Sequence, residues 1–241
     1  MTMSAIRVRA IYRKELREYR RNGSIIAGMA IIALIFVIIP LIEFVAIPAS
    51  DSSALLNSDP LAYMLGIPAI VPAFVAAYSV VGERQQGTLE PVLTTPIRRE
   101  EVLLAKALAV LVPSLAVAYV VYAFFLACTK LFAQPAVASA VLQGPDLLGQ
   151  VLFTPLLALF SIWVGIAIST RSSDVRVAQQ LGALASFPAI VVAYLIAFNV
   201  IHATLGLALG VGAALLVLDG LGWRIVSAAF DRERLVTGTR S

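Results

Sequence analysis

The chain has 241 residues, of which 60% are hydrophobic and 13% are charged, and a mean hydropathy of +0.93, which indicates an integral membrane protein rather than a soluble domain. Its net charge of +4 comes from cations gathered at a few places, a pattern typical of membrane orientation, so no nucleic-acid partner is expected. A single cysteine, Cys128, and a single histidine, His202, exclude a disulfide framework and a metal site built from clustered Cys or His.

The N-terminal arm, residues 1–23, is predicted to form an amphipathic elbow helix. It is not expected to be a signal peptide, because the apolar run from Ser24 is too long and its polar lead too extended. At 100° per residue one side carries the apolar set, interrupted by Glu15, and the other carries the cations. The apolar set is Val8, Ile11, Tyr12, Leu16 and Tyr19, and the cations are Arg7, Arg9, Arg13, Lys14, Arg17, Arg20 and Arg21. Such a helix lies in the membrane interface with lipid as partner, its apolar side toward the acyl chains and its cations among anionic headgroups. The alternative is a cationic flank without a defined helix.

Six apolar segments follow, each of about 20 residues or more, the length that crosses a bilayer as a helix. They cover residues 24–47, 62–81, 102–132, 147–169, 178–199 and 203–221. The third is overlong for one straight span and must tilt, bend at Pro113 or emerge into water. The predicted fold class is an all-α integral membrane protein. Its single transmembrane domain comprises a six-helix bundle over residues 24–221 and a cytoplasmic tail over 222–241.

Prolines inside these segments remove backbone hydrogen bonds and predict kinked helices within a packed bundle. They are Pro40, Pro68, Pro72, Pro113, Pro155 and Pro188. The glycines Gly206 and Gly210 on the sixth segment fit either close helix packing or a subunit interface.

Charged residues are rare within the segments. Glu43 lies near the outer end of the first segment and Asp219 near the inner end of the sixth, and each is either structural or part of a substrate path. No charge falls at the middle of the bundle, which argues against an ion-coupled carrier.

The positive-inside rule places both termini in the cytoplasm. Of the 18 cations, 17 fall on one side: on the arm, on the second-to-third and fourth-to-fifth connections, on the tail, or, for Lys106, just inside the third segment. Lys130 alone falls on the other side. A multi-pass protein of the cytoplasmic (inner or plasma) membrane is therefore expected.

The connection over residues 82–101 is the most informative polar stretch and reads GERQQGTLEPVLTTPIRREE. Thr88 can cap a short helix after the flexible Gly87, and Pro96 can start the next long helix with Thr95 as its N-cap. A short, polar, capped helix between two spans suits contact with a soluble partner. The alternative is a solvated loop.

This connection resembles the first cytoplasmic loop of the membrane subunits of type 2 ABC transporters, the type V exporter-like ABC-2 permease family. The family pattern is approximately E-R-x-x-G-T-L-E-x-L-L-x-x-P-x-x-R-x-E followed by a lysine. The matching residues are Glu83, Arg84, Gly87, Thr88, Leu89, Glu90, Leu93, Pro96, Arg99, Glu101 and Lys106. The elbow helix, the six spans, residues 171–180 and the tail segment 230–233 are also similar to the family, whereas Pro91 and Ala105 depart from its pattern.

The resemblance implies a permease subunit of an exporter, with no catalytic activity of its own. The mainly apolar side chains expected along the dimer interface favour an amphipathic or lipophilic substrate. The permease would form a homodimer, or a heterodimer with a related permease, on two separately encoded ABC ATPase subunits. ATP and Mg would be bound by those subunits, since none of the three lysines of this chain follows glycine as a Walker A motif requires. The expected ATPase-coupling residues are Glu83, Arg84, Gly87, Thr88, Leu89, Glu90, Pro96, Arg99, Glu101 and Lys106. Among them, Glu83, Arg84 and Glu90 are expected to face the partner.

Two other classes of protein fit the sequence less well than a permease. An intramembrane protease would need histidines on spans near the Glu100–Glu101 pair, but His202 lies alone on the outer side and no Gly-x-Ser-x-Gly occurs, so no enzyme is expected. A stand-alone secondary carrier or channel would show broken helices repeated in both halves, and the sequence has no such internal similarity. The carrier or channel stays the alternative.

Overall fold

The computed structural model describes residues 4–48, 60–87, 97–197, 200 and 204–229. These residues form helices and no strands, and six stretches among them are long and apolar enough to cross a membrane. The six stretches are Gly23–Ala46, Leu61–Gln85, Arg99–Phe132, Gly144–Arg171, Val175–Ile196 and Leu205–Ala228. The predicted fold class is confirmed.

Nine α-helices make up the described chain. They are α1 (Ala5–Arg21), α2 (Gly23–Ala46), α3 (Gly66–Gln85), α4 (Arg99–Phe132), α5 (Pro135–Val141), α6 (Gly144–Arg171), α7 (Val175–Ala185), α8 (Phe187–Ala197) and α9 (Leu205–Ala229). A 3-10 turn over Pro60–Leu65 precedes α3.

The elbow between α1 and α2 is made by one residue, Asn22. Its backbone N–H donates to the carbonyl oxygens of Glu18 and Tyr19, which ends α1. Its side-chain oxygen accepts from the N–H groups of Ser24 and Ile25, at 3.1 and 3.3 Å, which caps α2. Asn22 therefore satisfies the backbone groups of both helix ends at the bend.

The predicted elbow helix is present, but its apolar side contacts protein. Glu15 and Tyr19 are the buried residues of α1, and Ile11 and Tyr12 pack against the core cluster that contains Val102. The helix packs mainly on α4. The expectation that this side faces the acyl chains differs from the structure, because α4 extends far enough beyond the apolar spans to cover it.

The second span, α3, lies at the centre of the bundle. In its most apolar stretch 83% of the residues are buried, against 6% for the last span, α9. Its closest neighbour is α6, where Gly165 lets the backbone of Ala73 approach: a Cβ at Gly165 would lie 2.7 Å from the Ala73 carbonyl oxygen. Small residues at this crossing bring the two helices together.

The fifth span consists of two helices, α7 and α8, separated at Ser186. The Ser186 backbone closes the end of α7, and its hydroxyl donates to the carbonyl oxygen of Gly182 at 3.1 Å. Pro188 follows and lacks the N–H that would continue the ladder, so a break here confirms the predicted kink. The prolines of α2, α4 and α6, and Pro72 of α3, lie inside continuous helices instead.

Three predicted boundaries differ from the structure. The long helix α4 begins at Arg99, with Arg98 at the N-cap position, rather than at Pro96. Since α3 continues to Gln85, residues 82–85 of the predicted connection belong to that helix. The last span continues to Ala229, so residues 222–229 belong to a helix rather than to a tail. Helices of this bundle continue past their apolar stretches because packing and capping extend beyond the hydrophobic pattern.

Candidate functional site

A buried cation, Lys106, joins three helices at one end of the bundle. Its Nζ lies 2.8 Å from Oε2 of Glu83 on α3 and 3.1 Å from Oε1 of Glu15 on α1. It also donates to the backbone carbonyl of Ser79 at 2.8 Å. The side chains of Lys106, Glu15 and Glu83 are 1–2% exposed. Buried charges persist only when paired and hydrogen-bonded, as they are here.

A second cation, Lys14, closes the same group of charges from the surface side. Its Nζ pairs with Glu83, with Glu15 at 3.1 Å and with Glu18 at 3.3 Å. We call Lys14, Glu15, Glu18, Glu83 and Lys106 the elbow charge cluster. It ties α1 to the end of α3 and to the first part of α4.

The pKa values within α1 follow from this arrangement. Burial alone would raise the pKa of the Glu15 carboxyl, but the ammonium groups of Lys106 and Lys14 outweigh it and hold the pKa below its ordinary value. Burial would lower the pKa of Lys14, and the carboxylates of Glu15 and Glu83 raise it well above its ordinary value instead. Both groups are therefore charged at neutral pH.

The three carboxylates of the cluster lie close enough together to hold a metal ion. One oxygen each from Glu15, Glu18 and Glu83 lie within 4.8 Å of one another. Lys14 pairs with all three carboxylates and Lys106 with those of Glu15 and Glu83, at distances of 3.3 Å or less. The two ammonium groups therefore offset two of the three negative charges.

Glu101 organises the start of α4. Its Oε2 accepts from the backbone N–H of Arg98 at 3.2 Å, the acidic half of a capping box, and lies 3.5 Å from Nε of Arg7. Its Oε1 accepts from the backbone N–H of Ser4 at 2.7 Å. Glu101 therefore holds the first residues of the arm against the beginning of α4 and is fully buried in doing so.

Arg84 connects the end of α3 to the turn between the fourth and fifth spans. Its Nη1 donates to the carbonyl oxygen of Ser172 at 3.0 Å and its Nη2 to that of Thr170 at 3.3 Å. Gln85 donates to the Ser173 carbonyl at 3.2 Å in the same way. These bonds satisfy carbonyl groups at the end of α6 that have no partner within the helix.

Gly87 has a φ of +69°, the left-handed region in which glycine carries no steric cost. It follows the last turn of α3. Arg99 is largely exposed and pairs with Glu100 at 3.4 Å. The predicted coupling residues Thr88, Leu89, Glu90 and Pro96 lie outside the described residues, as does the candidate cap Thr95.

The structure thus brings Glu83, Glu101 and Lys106 to the face between the elbow and the bundle. Glu83 is buried there, so it is not presented on the surface of the chain as expected, because its carboxylate is needed to balance Lys106. Arg84, Gly87 and Arg99 lie at the ends of the same connection. Whether these residues couple an ATPase stays a prediction.

Glu43 and Asp219 belong to other parts of the fold. Glu43 is exposed on α2 and lies near the ring pair of Tyr63 and Tyr194, whose centroids are 4.4 Å apart. Asp219 is half-buried on α9, and within the described part of the chain neither of its oxygens has a hydrogen-bond partner. Neither residue contacts the elbow charge cluster.

The sequence reasoning missed Lys14 and Glu15 as site residues. Their signal was Glu15 itself, an acidic residue that interrupts an apolar helix face. A charge in such a position predicts a buried counter-charge on the element that covers the face.

The described residues form a helical bundle with six stretches that are long and apolar enough to cross a membrane, and a buried charge cluster lies at one end of it. A family model described as "ABC-2 family transporter protein" matches residues 9–218. Because this match covers most of the chain, the protein belongs to the ABC-2 family transporter proteins, and it is a permease subunit rather than a catalytic one. A comparison with curated proteins gives no match.

Proposed function

We propose that this permease is the membrane-embedded half of an exporter that is driven by a separate ABC ATPase. Two copies of the ATPase bind ATP and Mg, and two permeases, identical or related, form the translocation path. Both termini and the connection between α3 and α4 face the cytoplasm of the cell. The observation that supports this proposal is the elbow charge cluster.

The cluster makes the ends of the connection one mechanical unit. Glu83 stands at the end of α3 and Lys106 near the start of α4, and their charges meet at 2.8 Å together with Glu15 of α1. Arg84 links the same unit to the turn that follows α6. A force that the ATPase exerts on the residues between Gly87 and Ile97 would therefore displace the elbow together with α3, α4 and α6.

The expected cargo is amphipathic or lipophilic. The spans expose mainly aliphatic and aromatic side chains, such as Ile35, Phe124 and Leu216, on the surfaces that a second permease or lipid would cover. A path bounded by such surfaces carries few polar groups to replace the hydration shell of a free ion. The half-buried Asp219 is the candidate polar contact along it.

The test is a double substitution in the connection, Gly87→Val with Leu89→Asp. Valine at a φ of +69° is strained, and aspartate replaces an apolar side chain with a charged one, so the surface offered to the ATPase should change. We expect the variant to insert normally, while pull-down of the ATPase falls by about tenfold or more or substrate-stimulated hydrolysis in reconstituted membranes is lost.

Gly144→Val is the matched control. Gly144 begins α6 and has open space where a Cβ would stand, without a positive φ. This variant should bind and stimulate the ATPase as the parent does. Unchanged binding and hydrolysis in a correctly inserted Gly87→Val, Leu89→Asp variant would contradict the proposed function and leave a stand-alone carrier or channel as the next hypothesis.

A further inference from the structure

A cavity of about 560 Å³ lies at the elbow, beside the charge cluster. Its walls come from the last two turns of α1, the first residue of α2 and the end of α3. Lys14 and Glu18 form its inner edge, and Tyr78 and Gln86 form the wall on α3. The cavity therefore lies where the interfacial helix turns into the first membrane span.

Two arginines give this cavity its charge. Arg17 and Arg21 both line it, one helical turn apart, and both are exposed. Within the described part of the chain neither guanidinium has a carboxylate partner, whereas Lys14 is paired with Glu15, Glu18 and Glu83. Like charges at i and i+4 repel each other, and an anion placed between them removes that repulsion. Guanidinium groups bind phosphate oxygens in pairs, with fixed geometry.

Neutral polar groups complete the lining. Gln86 donates its amide to the Tyr78 hydroxyl, so both side chains already hold an orientation. Gly23, the first residue of α2, also lines the cavity, and the positive end of a 24-residue helix therefore adjoins it. One oxygen of Glu18, Oε1, is buried and has no hydrogen-bond partner among the described residues. A ligand with a phosphate and a hydroxyl donor would satisfy both the arginines and this oxygen.

The surroundings favour a lipid over a free phosphate. Directly after the cavity, α2 presents exposed apolar side chains along its length, among them Ile26, Ile31 and Leu34. Acyl chains can lie along this surface while their headgroup reaches the cavity at the level of the interface. A soluble phosphate ester would gain nothing from that surface.

We propose that the elbow cavity binds the headgroup of an anionic phospholipid from the adjoining leaflet. The phosphodiester lies between Arg17 and Arg21, and a headgroup hydroxyl donates to Oε1 of Glu18. The bound lipid holds the end of α1 against the start of α2, beside the charges of Lys14 and Glu15. This inference concerns a resident lipid and does not depend on which substrate the permease carries.

The test uses the full chain, purified in detergent, with native mass spectrometry of retained lipid and melting temperature as readouts. The probes are phosphatidylglycerol, phosphatidylcholine and soluble glycerol phosphate. Phosphatidylglycerol should be retained and should raise the melting temperature. Replacing Arg17 and Arg21 together with Gln should weaken its retention about tenfold or more, since each charge-assisted bond to phosphate is lost.

The control is the Arg9→Gln, Arg13→Gln double variant, which removes the same charge from exposed positions of α1 outside the cavity. It should retain phosphatidylglycerol as the parent does. A second variant, Gln86→Glu, keeps the size of the wall residue and adds a negative charge, so it should also release the lipid, even if the arginine variant does not assemble.

Three results would overturn the proposal. Equal loss of lipid in the control variant would mean non-specific attraction along α1. Equal retention of phosphatidylcholine would remove the preference for anionic headgroups. A stabilisation by glycerol phosphate as large as that by phosphatidylglycerol would assign the cavity to a soluble phosphate ester.

Discussion

Lys106 and Glu15 are 91 positions apart in the sequence, yet Nζ of Lys106 lies 3.1 Å from Oε1 of Glu15 in the interior of the protein. The contact explains why an acidic residue stands in the apolar face of α1. It also makes the packing of α1 depend on a charge in α4. Substitution of either residue should therefore change the stability of the whole chain.

Replacing Lys106 with Met should destabilise the protein strongly. The substitution keeps most of the side-chain volume but leaves Glu15 and Glu83 buried with Lys14 as their remaining cation, and breaking a buried ion pair costs about 3–5 kcal/mol. The measurement is the melting temperature in detergent. Lys130→Met, an exposed lysine of the same helix, is the control and should change little. Equal melting temperatures for both variants would mean that the cluster does not hold the elbow.

Stability should depend on pH at both ends of the scale. Since the folded pKa of Glu15 is lowered, its contribution is fully present above the ordinary value of 4.5 and is lost as the pH falls through the folded value. Since the folded pKa of Lys14 is raised, its contribution is fully present below 10.5 and is lost as the pH rises through the folded value. Between these limits the contributions of Glu15 and Lys14 to the stability should be constant. Glu15→Gln should reduce the loss on the acidic side, and an unchanged acid profile in that variant would contradict the assignment.

Gly165→Ala should weaken the crossing of α3 and α6. The added Cβ would lie 2.7 Å from the Ala73 carbonyl oxygen and 2.8 Å from the Ala76 Cβ, so the helices must separate. Overpacking of this kind costs about 1–3 kcal/mol. Gly210→Ala, which meets nothing within 4 Å, is the matched control. Thermal unfolding in detergent compares the two, and a Gly165→Ala variant as stable as the control would show that the crossing tolerates a wider spacing.

Single cysteines can test the proposed orientation. Cys128 is buried, and a Cys128→Ser background removes it from the experiment. Ser139→Cys, on the exposed side of α5, should then react with an impermeant thiol reagent in intact cells, whereas Gln86→Cys should react only after the cells are opened. The reverse labelling pattern would place the termini outside the cell.

The spans were predictable because a bilayer imposes a simple length and hydropathy rule. Each predicted segment corresponds to one of the six stretches found, with ends that differ by a few residues. The ends are less regular because they are set by individual polar contacts. The start of α4 is an example: Glu101 binds the N–H of Arg98, a contact that no hydropathy pattern contains.

The charge cluster was not predictable from local pattern. On a helical wheel Glu15 only interrupts an apolar face, because a wheel shows a single helix and not the helix that packs against it. Glu83 and Lys106 entered the prediction through family resemblance, which indicates positions but not their partners. Pairing across 91 positions depends on the packing of α1 on α4, and only the assembled fold brings it about.

The helix α4 is continuous and longer than the membrane is thick. Its 34 residues span about 51 Å, whereas the hydrocarbon layer is about 30 Å thick. When a helix of this length tilts as a rigid body about its middle, its two ends, at Arg99 and at Phe132, move in opposite directions. Lys106, seven residues from the start of α4, binds the elbow helix through its ion pair with Glu15. A change in how the elbow packs on α4 would therefore also displace groups near Phe132, through tilt of the helix rather than through rearranged side chains.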